Sequence, residues 1–159
     1  MKYLNIIIKT DQNLTNCILR ITLGVIIFAH GAQKLLGIWG GHGIEWTIEA
    51  WKQWWQIPSI LTLSVIFVES FGALLLIFGV LTRVWSFLIG IIMLVAIYLV
   101  HFKWGFFMNW YMEPQIGEGF EYHLLVLSIV TILFLKGGGK WSFDFWITLK
   151  NRNSRTHFN

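Results

Sequence analysis

The stretch Val65-Ile-Phe-Val-Glu69-Ser-Phe-Gly72-Ala-Leu-Leu-Leu-Ile-Phe-Gly79-Val-Leu-Thr-Arg83 decides the fold. It is apolar almost throughout and, with the residues before it, long enough to cross a hydrocarbon core about 30 Å thick. Glu69 lies in its middle, where an ionisable side chain costs several kcal/mol even on lenient scales. Such a group needs a partner or a purpose. Thr62, Val65, Gly72, Leu76 and Gly79 recur with Glu69 at helical spacing, and small residues on one face let neighbouring helices approach closely. The carboxyl group is therefore expected to point at another helix.

Three further apolar segments surround this one. Spans are expected at about 16–36, 58–81, 84–101 and 121–135, in a single domain covering 1–146, with a basic tail of disordered character at 147–159. The first span gathers Arg20, Gly24, Ile27, His30, Gly31 and Lys34 on one stripe. Arg20 and Lys34 are thus the candidate partners of Glu69. Pro58 suits the first turn of the second span. The third is expected to line up Ser86, Gly90, Leu94 and Ile97 beneath His101. The fourth opens with Glu121 and His123.

Composition agrees with a membrane setting. The chain is 56% hydrophobic and 13% charged, against about a quarter charged for soluble domains. Mean hydropathy is +0.64. Ten tryptophans fit residence at headgroup level. Residues 44–56, with Trp51, Trp54 and Trp55 at i, i+3, i+4, read as an amphipathic helix in the interface, a stack of tryptophans lining a ligand pocket being the alternative. The segment 102–120 reads as a second aromatic loop, also interfacial. The fold class is all-α, an integral membrane four-helix bundle with Trp-rich interfacial loop helices. Lys2, Lys9, Arg83, Lys136, Lys140, Lys150, Arg152 and Arg155 share a side with the N-terminus, so both termini are expected in the cytoplasm. The first span is expected to be an uncleaved anchor.

The pI near 9.4 does not imply nucleic acid, because the charges are scattered over loops and ends. Cys17 is the only cysteine, so any thiol chemistry belongs to a partner. No HxxxH or CxxC spacing supports a metal or haem site, and no phosphate-binding loop or nucleophile elbow occurs. The glycine runs at 37–43 and 137–139 read as helix stops. What remains is Glu69 near mid-depth beneath His30, His101, Glu121 and His123 toward the outer side. Histidine and glutamate can exchange protons as a quinone is reduced or oxidised. Glu69 and His30 are the candidate proton handlers. His101, Glu121, His123, Arg20 and Lys34 are the candidate substrate-binding groups. The competing account gives these residues structural work: hydrogen bonds at span ends for the histidines, and for Glu69 an ion pair that fixes helix register. A small-solute transporter fits less well, since no internal repeat occurs.

The order and spacing of several motifs resemble the DoxX family of small four-span membrane proteins. They are Arg20, His30-Gly31-x-x-Lys34-Leu35, Glu69-x-x-Gly72, Gly79-x-x-Thr82-Arg83, His101, Glu121, and Gly-Gly-Lys140-Trp-Ser142-x-Asp144, across about 14–146. The resemblance implies the four-span fold, a bacterial inner-membrane location and association with membrane redox complexes, one of them a thiosulfate:quinone oxidoreductase. Quinone and a membrane or redox protein partner are accordingly expected besides the lipid bilayer. A homo-oligomer is left open, as is a non-catalytic scaffold in place of an oxidoreductase subunit. The tryptophan load of residues 39–55 and the long loop after His101 depart from the family's pattern.

Overall fold

The computed structural model describes residues 7–156, with side chains to Lys150. Lys2 lies outside the described residues, as do 157–159. Among the described residues all regular structure is helical. The helices are α1 (Leu14–Leu36), α2 (Ile44–Trp55), α3 (Ser59–Phe78), α4 (Thr82–Trp104), α5 (Glu121–Lys136) and α6 (Phe143–Thr156). Helices α1, α3 and α4 are each long and apolar enough to cross a membrane. With α5 they pack around a core that includes Leu23, Ile27, Leu76, Ile89, Val126 and Leu133. The chain is a helical membrane protein with its two Trp-rich connections at one end of the bundle and α6 at the other.

Close helix approach comes from the glycines of α1. A Cβ on Gly24 would fall 3.0 Å from the Ala73 carbonyl oxygen, and one on Gly31 would fall 2.6 Å from Ser70 N. The backbone of α1 therefore lies directly on the turn of α3 that carries Glu69. Thr62, Glu69, Gly72, Leu76 and Gly79 form the buried face of α3.

The buried face of α4 differs from the expected one. Thr82, Ser86, Ile89 and Met93 point inward, while Leu94 is 57% exposed. On an uninterrupted α-helix His101 would lie on the same outward face as Leu94, seven residues earlier. A π turn at Ile97–His101 inserts an extra residue into the winding and turns His101, half-buried, away from that face. A second π turn, Val68–Gly72, carries Glu69.

The end bearing α6 is tied by buried polar groups. Asp144 accepts hydrogen bonds from the Leu81 and Thr82 amides, both at 2.9 Å, and so caps the start of α4. Burial pushes its carboxyl above the ordinary value of 3.8, opposed by those amides and by Arg20. Gly137 and Gly139 take positive φ and touch Thr10 and Asn16, so the glycine run is a packing element besides a helix stop. Residues 147–156, expected as disordered tail, continue helix α6. Asp144 in its first turn and the bond from Thr148 Oγ1 to the Ile8 carbonyl, 3.2 Å, hold it against the bundle.

Candidate functional site

Helix α3 leaves the tight turn at 79–81 beside α4, but its far half, Ser59–Phe67, packs on α2 and α1 instead. The two helices diverge toward the Trp-rich end, and the space between them is a cavity of about 780 Å³. Leu61 of α3 and Ile91, Val95 and Leu99 of α4 line it and are themselves exposed, so the cleft opens sideways where lipid surrounds the bundle. Trp51 and Trp55 of α2 roof it. Trp46 and Trp54 of the same helix face outward, 45% and 56% exposed. One face of this helix thus lines the cavity and the other is exposed.

The polar groups of the cleft are few. Lys34 forms a salt bridge with Glu69, whose side chain is 6% exposed, and the ammonium also lies 5.7 Å from the Trp51 ring. Its choice over Arg20 follows from helix register, since Lys34 and Glu69 meet beside the Gly31 contact. His30 lines the cleft near this pair, its ring 6.3 Å from that of Tyr122. Toward the mouth, the His101 and His123 rings stand 4.1 Å apart. His101 Nδ1 lies 2.8 Å from the Glu118 carbonyl oxygen, so that nitrogen carries a proton and donates it.

Two sequence candidates lie elsewhere. Arg20, 1% exposed, is at the opposite end of the bundle. Its guanidinium donates to the Ile77 carbonyl, to Gly138 at 2.9 Å and to Trp141 at 3.0 Å. It thus satisfies carbonyls at the C-terminus of α3, where the helix dipole favours a cation. Glu121 turns toward the preceding loop and accepts from Trp110 Nε1 at 2.7 Å and from the Met108 amide at 3.2 Å. At the first position of α5 its side chain diverges from that of His123 by two helical steps, so only His123 enters the cleft.

Sequence reasoning missed Tyr122 and Glu118, both of which line the cleft. Tyr122 had a weak signal as the neighbour of His123 in the first turn of α5. Glu118 had none, because its place depends on the fold of the 105–119 loop, where its carboxylate accepts from the Asn109 amide at 2.6 Å. Among the described residues no three His, Cys, Asp or Glu side chains gather as a metal site.

The geometry can be set beside known proteins. The DoxX family matches residues 15–102, which contain α2, α3, nearly all of α1 and α4, and every cleft residue except those of the following loop and α5. A Bacillus subtilis (strain 168) protein named "Putative oxidoreductase CatD" is 30% identical over 113 residues, covering 70% of this chain and 72% of that protein. No solved structure matches. With more than half of its length matched, and with Lys34, Glu69 and His101 inside the matched segment, the chain belongs to the DoxX family.

Proposed function

We propose that this protein is a redox-associated subunit of a bacterial plasma (inner) membrane that holds a membrane quinone in the cleft and exchanges protons with it. The observation that carries the reading is the apolar, laterally open cleft with the Lys34–Glu69 pair in its wall. A lipid-soluble ring enters sideways, its isoprenoid chain stays in lipid, and its oxygens meet the few polar groups. Reduction of a quinone takes two electrons and two protons. In this account the electrons come from a partner redox protein, while Glu69 and His30 pass protons, with Lys34, His101 and His123 as binding groups.

Helix α5 is the fourth crossing in this scheme, its 16 residues spanning about 24 Å. Lys9, Arg83, Lys136 and Lys140 at the α6 end support a cytoplasmic side there, with both termini inside and the mouth of the cleft outside in this reading. The printed name of the Bacillus subtilis relative supports oxidoreductase association. A scaffold reading has the Arg20 and Asp144 clamps in its favour, where buried polar groups fix packing. It leaves the cleft without a role.

The test is Glu69→Gln in native membranes. Quinone-linked electron transfer per intact protein is expected to fall at least about a hundredfold, the low end for a positioned proton-transfer group. An unchanged rate with diminished protein or partner recovery would instead support the scaffold.

A further inference from the structure

Helix α6 begins where two of the membrane-crossing helices meet. The Asp144 amide donates to the Gly79 carbonyl at 3.0 Å, and the Asp144 carboxylate accepts from the Leu81 and Thr82 amides. The first turn of α6 therefore lies on the turn that joins α3 to α4. Both of those helices are long and apolar enough to cross a bilayer, so the turn between them sits at the boundary of hydrocarbon and headgroups. Whatever this segment turns outward meets the headgroup region of one leaflet.

Its two faces differ. Ser142 and Asp144 are buried, and Thr148 bonds the Ile8 carbonyl. Trp141, Phe143, Trp146 and Leu149 are exposed, Trp141 at 72%. The backbone of Trp141 takes a left-handed conformation, φ 58°, and its carbonyl accepts from Arg20 at 3.0 Å. A bulky residue adopts that conformation at a cost, and the result here is an indole standing on the outer surface. Each of the two exposed indoles has a lysine beside it. The Lys140 ammonium lies 5.0 Å from the Trp141 ring, and that of Lys150 lies 5.7 Å from the Trp146 ring. An amphipathic ring settles at the glycerol level of a leaflet, and a lysine stem next to it carries the charge up to the phosphates.

The surrounding charge selects the kind of lipid. Lys136 and the hydrogen-bonded neighbours Lys9 and Arg83 belong to the same end, against one exposed acid among the described residues there, Asp11. Residues 145–159 contain Lys150, Arg152 and Arg155 and no Asp or Glu. A second copy packed on this face through the same surface would bring one basic cluster against another. An anionic leaflet complements it.

We propose that the outer face of α6, with Lys140 and Trp141 before it, binds anionic phospholipid, Trp141 and Trp146 lying among the upper acyl chains and Lys140 and Lys150 on the headgroup phosphate. The site is at the opposite end of the bundle from the Trp-roofed cleft and does not depend on the quinone reading.

The experiment is native mass spectrometry of the full-length protein released from detergent micelles, titrated with phosphatidylglycerol or with phosphatidylcholine. The wild type should bind phosphatidylglycerol at least about tenfold more tightly. Lys140→Gln and Lys150→Gln should each weaken that binding about fivefold, the worth of one basic residue at an anionic surface, and the double variant by about the product, with phosphatidylcholine unaffected. Lys103→Gln is the control, because Lys103 lies 4.9 Å from the Trp104 ring at the other end without the basic surroundings. It should leave both affinities unchanged. Equal affinity of the wild type for the two lipids, a double variant within twofold of wild type, or an equal loss in Lys103→Gln overturns the assignment. A wild-type dimer that takes up no phosphatidylglycerol overturns it in favour of a second copy on this face. Should Lys140→Gln fail to fold, Lys150→Gln decides alone.

Discussion

Lys34→Met is expected to destabilise the detergent-solubilised protein by about 3–5 kcal/mol, the usual cost of removing one partner from a buried ion pair. The expectation follows from where the two charges sit. The Glu69 side chain is 6% exposed, so its carboxylate is left buried without a counter-charge once the ammonium is gone. The Lys34 side chain, 24% exposed, opens onto the cleft and loses less when its own partner is removed. A double variant, Lys34→Met with Glu69→Leu, should recover most of the stability, because replacing both charges with apolar groups is often neutral or favourable. Recovery of stability without recovery of quinone-linked activity is the expected joint outcome. Denaturant or thermal unfolding followed by circular dichroism checks the first part. A Lys34→Met protein as stable as wild type would contradict a stabilising role for the pair.

Arg20→Met should have an effect of similar size at the other end of the bundle. The guanidinium is 1% exposed and bonds backbone carbonyls of both α3 and the 138–141 segment. Each buried acceptor left unsatisfied costs about 1–3 kcal/mol, so a loss of about 3 kcal/mol or more is expected. Arg20→Lys should keep less than half of the lost stability, since an ammonium cannot reproduce the forked geometry that reaches both segments at once. Because Arg20 lies away from the cleft, the fraction that folds should bind decylubiquinone with unchanged affinity. A variant that keeps its stability but loses binding would return Arg20 to the site and contradict the separation of the two ends.

The contrast between Arg20 and Lys34 shows where sequence stops being informative. Both lie on the same stripe of α1, and periodicity alone makes either a partner for Glu69. They are 14 residues apart, about 21 Å along the helix, so the sliding register of α1 against α3 decides between them. The Gly31 contact with the Glu69 turn sets that register, and it is a tertiary fact. The three helices long and apolar enough to cross a membrane, α1, α3 and α4, were legible, because apolar runs of this length have few other uses. The glycine faces of α1 and α3 were legible by their period, while that of α4 was not.

The π turns were not. They leave no mark in composition, yet they bring Glu69 and His101 to the cleft, and the second moves His101 off the face predicted for Leu94. Glu121 failed as a candidate because a carboxylate at a helix start has amides of the preceding loop within reach, and it satisfies those. Tyr122 was passed over because its one mark in the sequence is its place beside His123. In α2, Trp46 and Trp54 are exposed while Trp51 and Trp55 line the cleft. Only the position of α2 over the diverging ends of α3 and α4 separates the two pairs.

The central claim is that the cleft is a quinone site, and the most direct measurement is gentle-detergent purification from native membranes followed by solvent extraction and mass spectrometry of bound lipids. The account predicts quinone recovered with the wild-type protein and depleted in a Leu61→Trp variant that fills the lateral opening. Equal recovery from both, or none from the wild type, would contradict it.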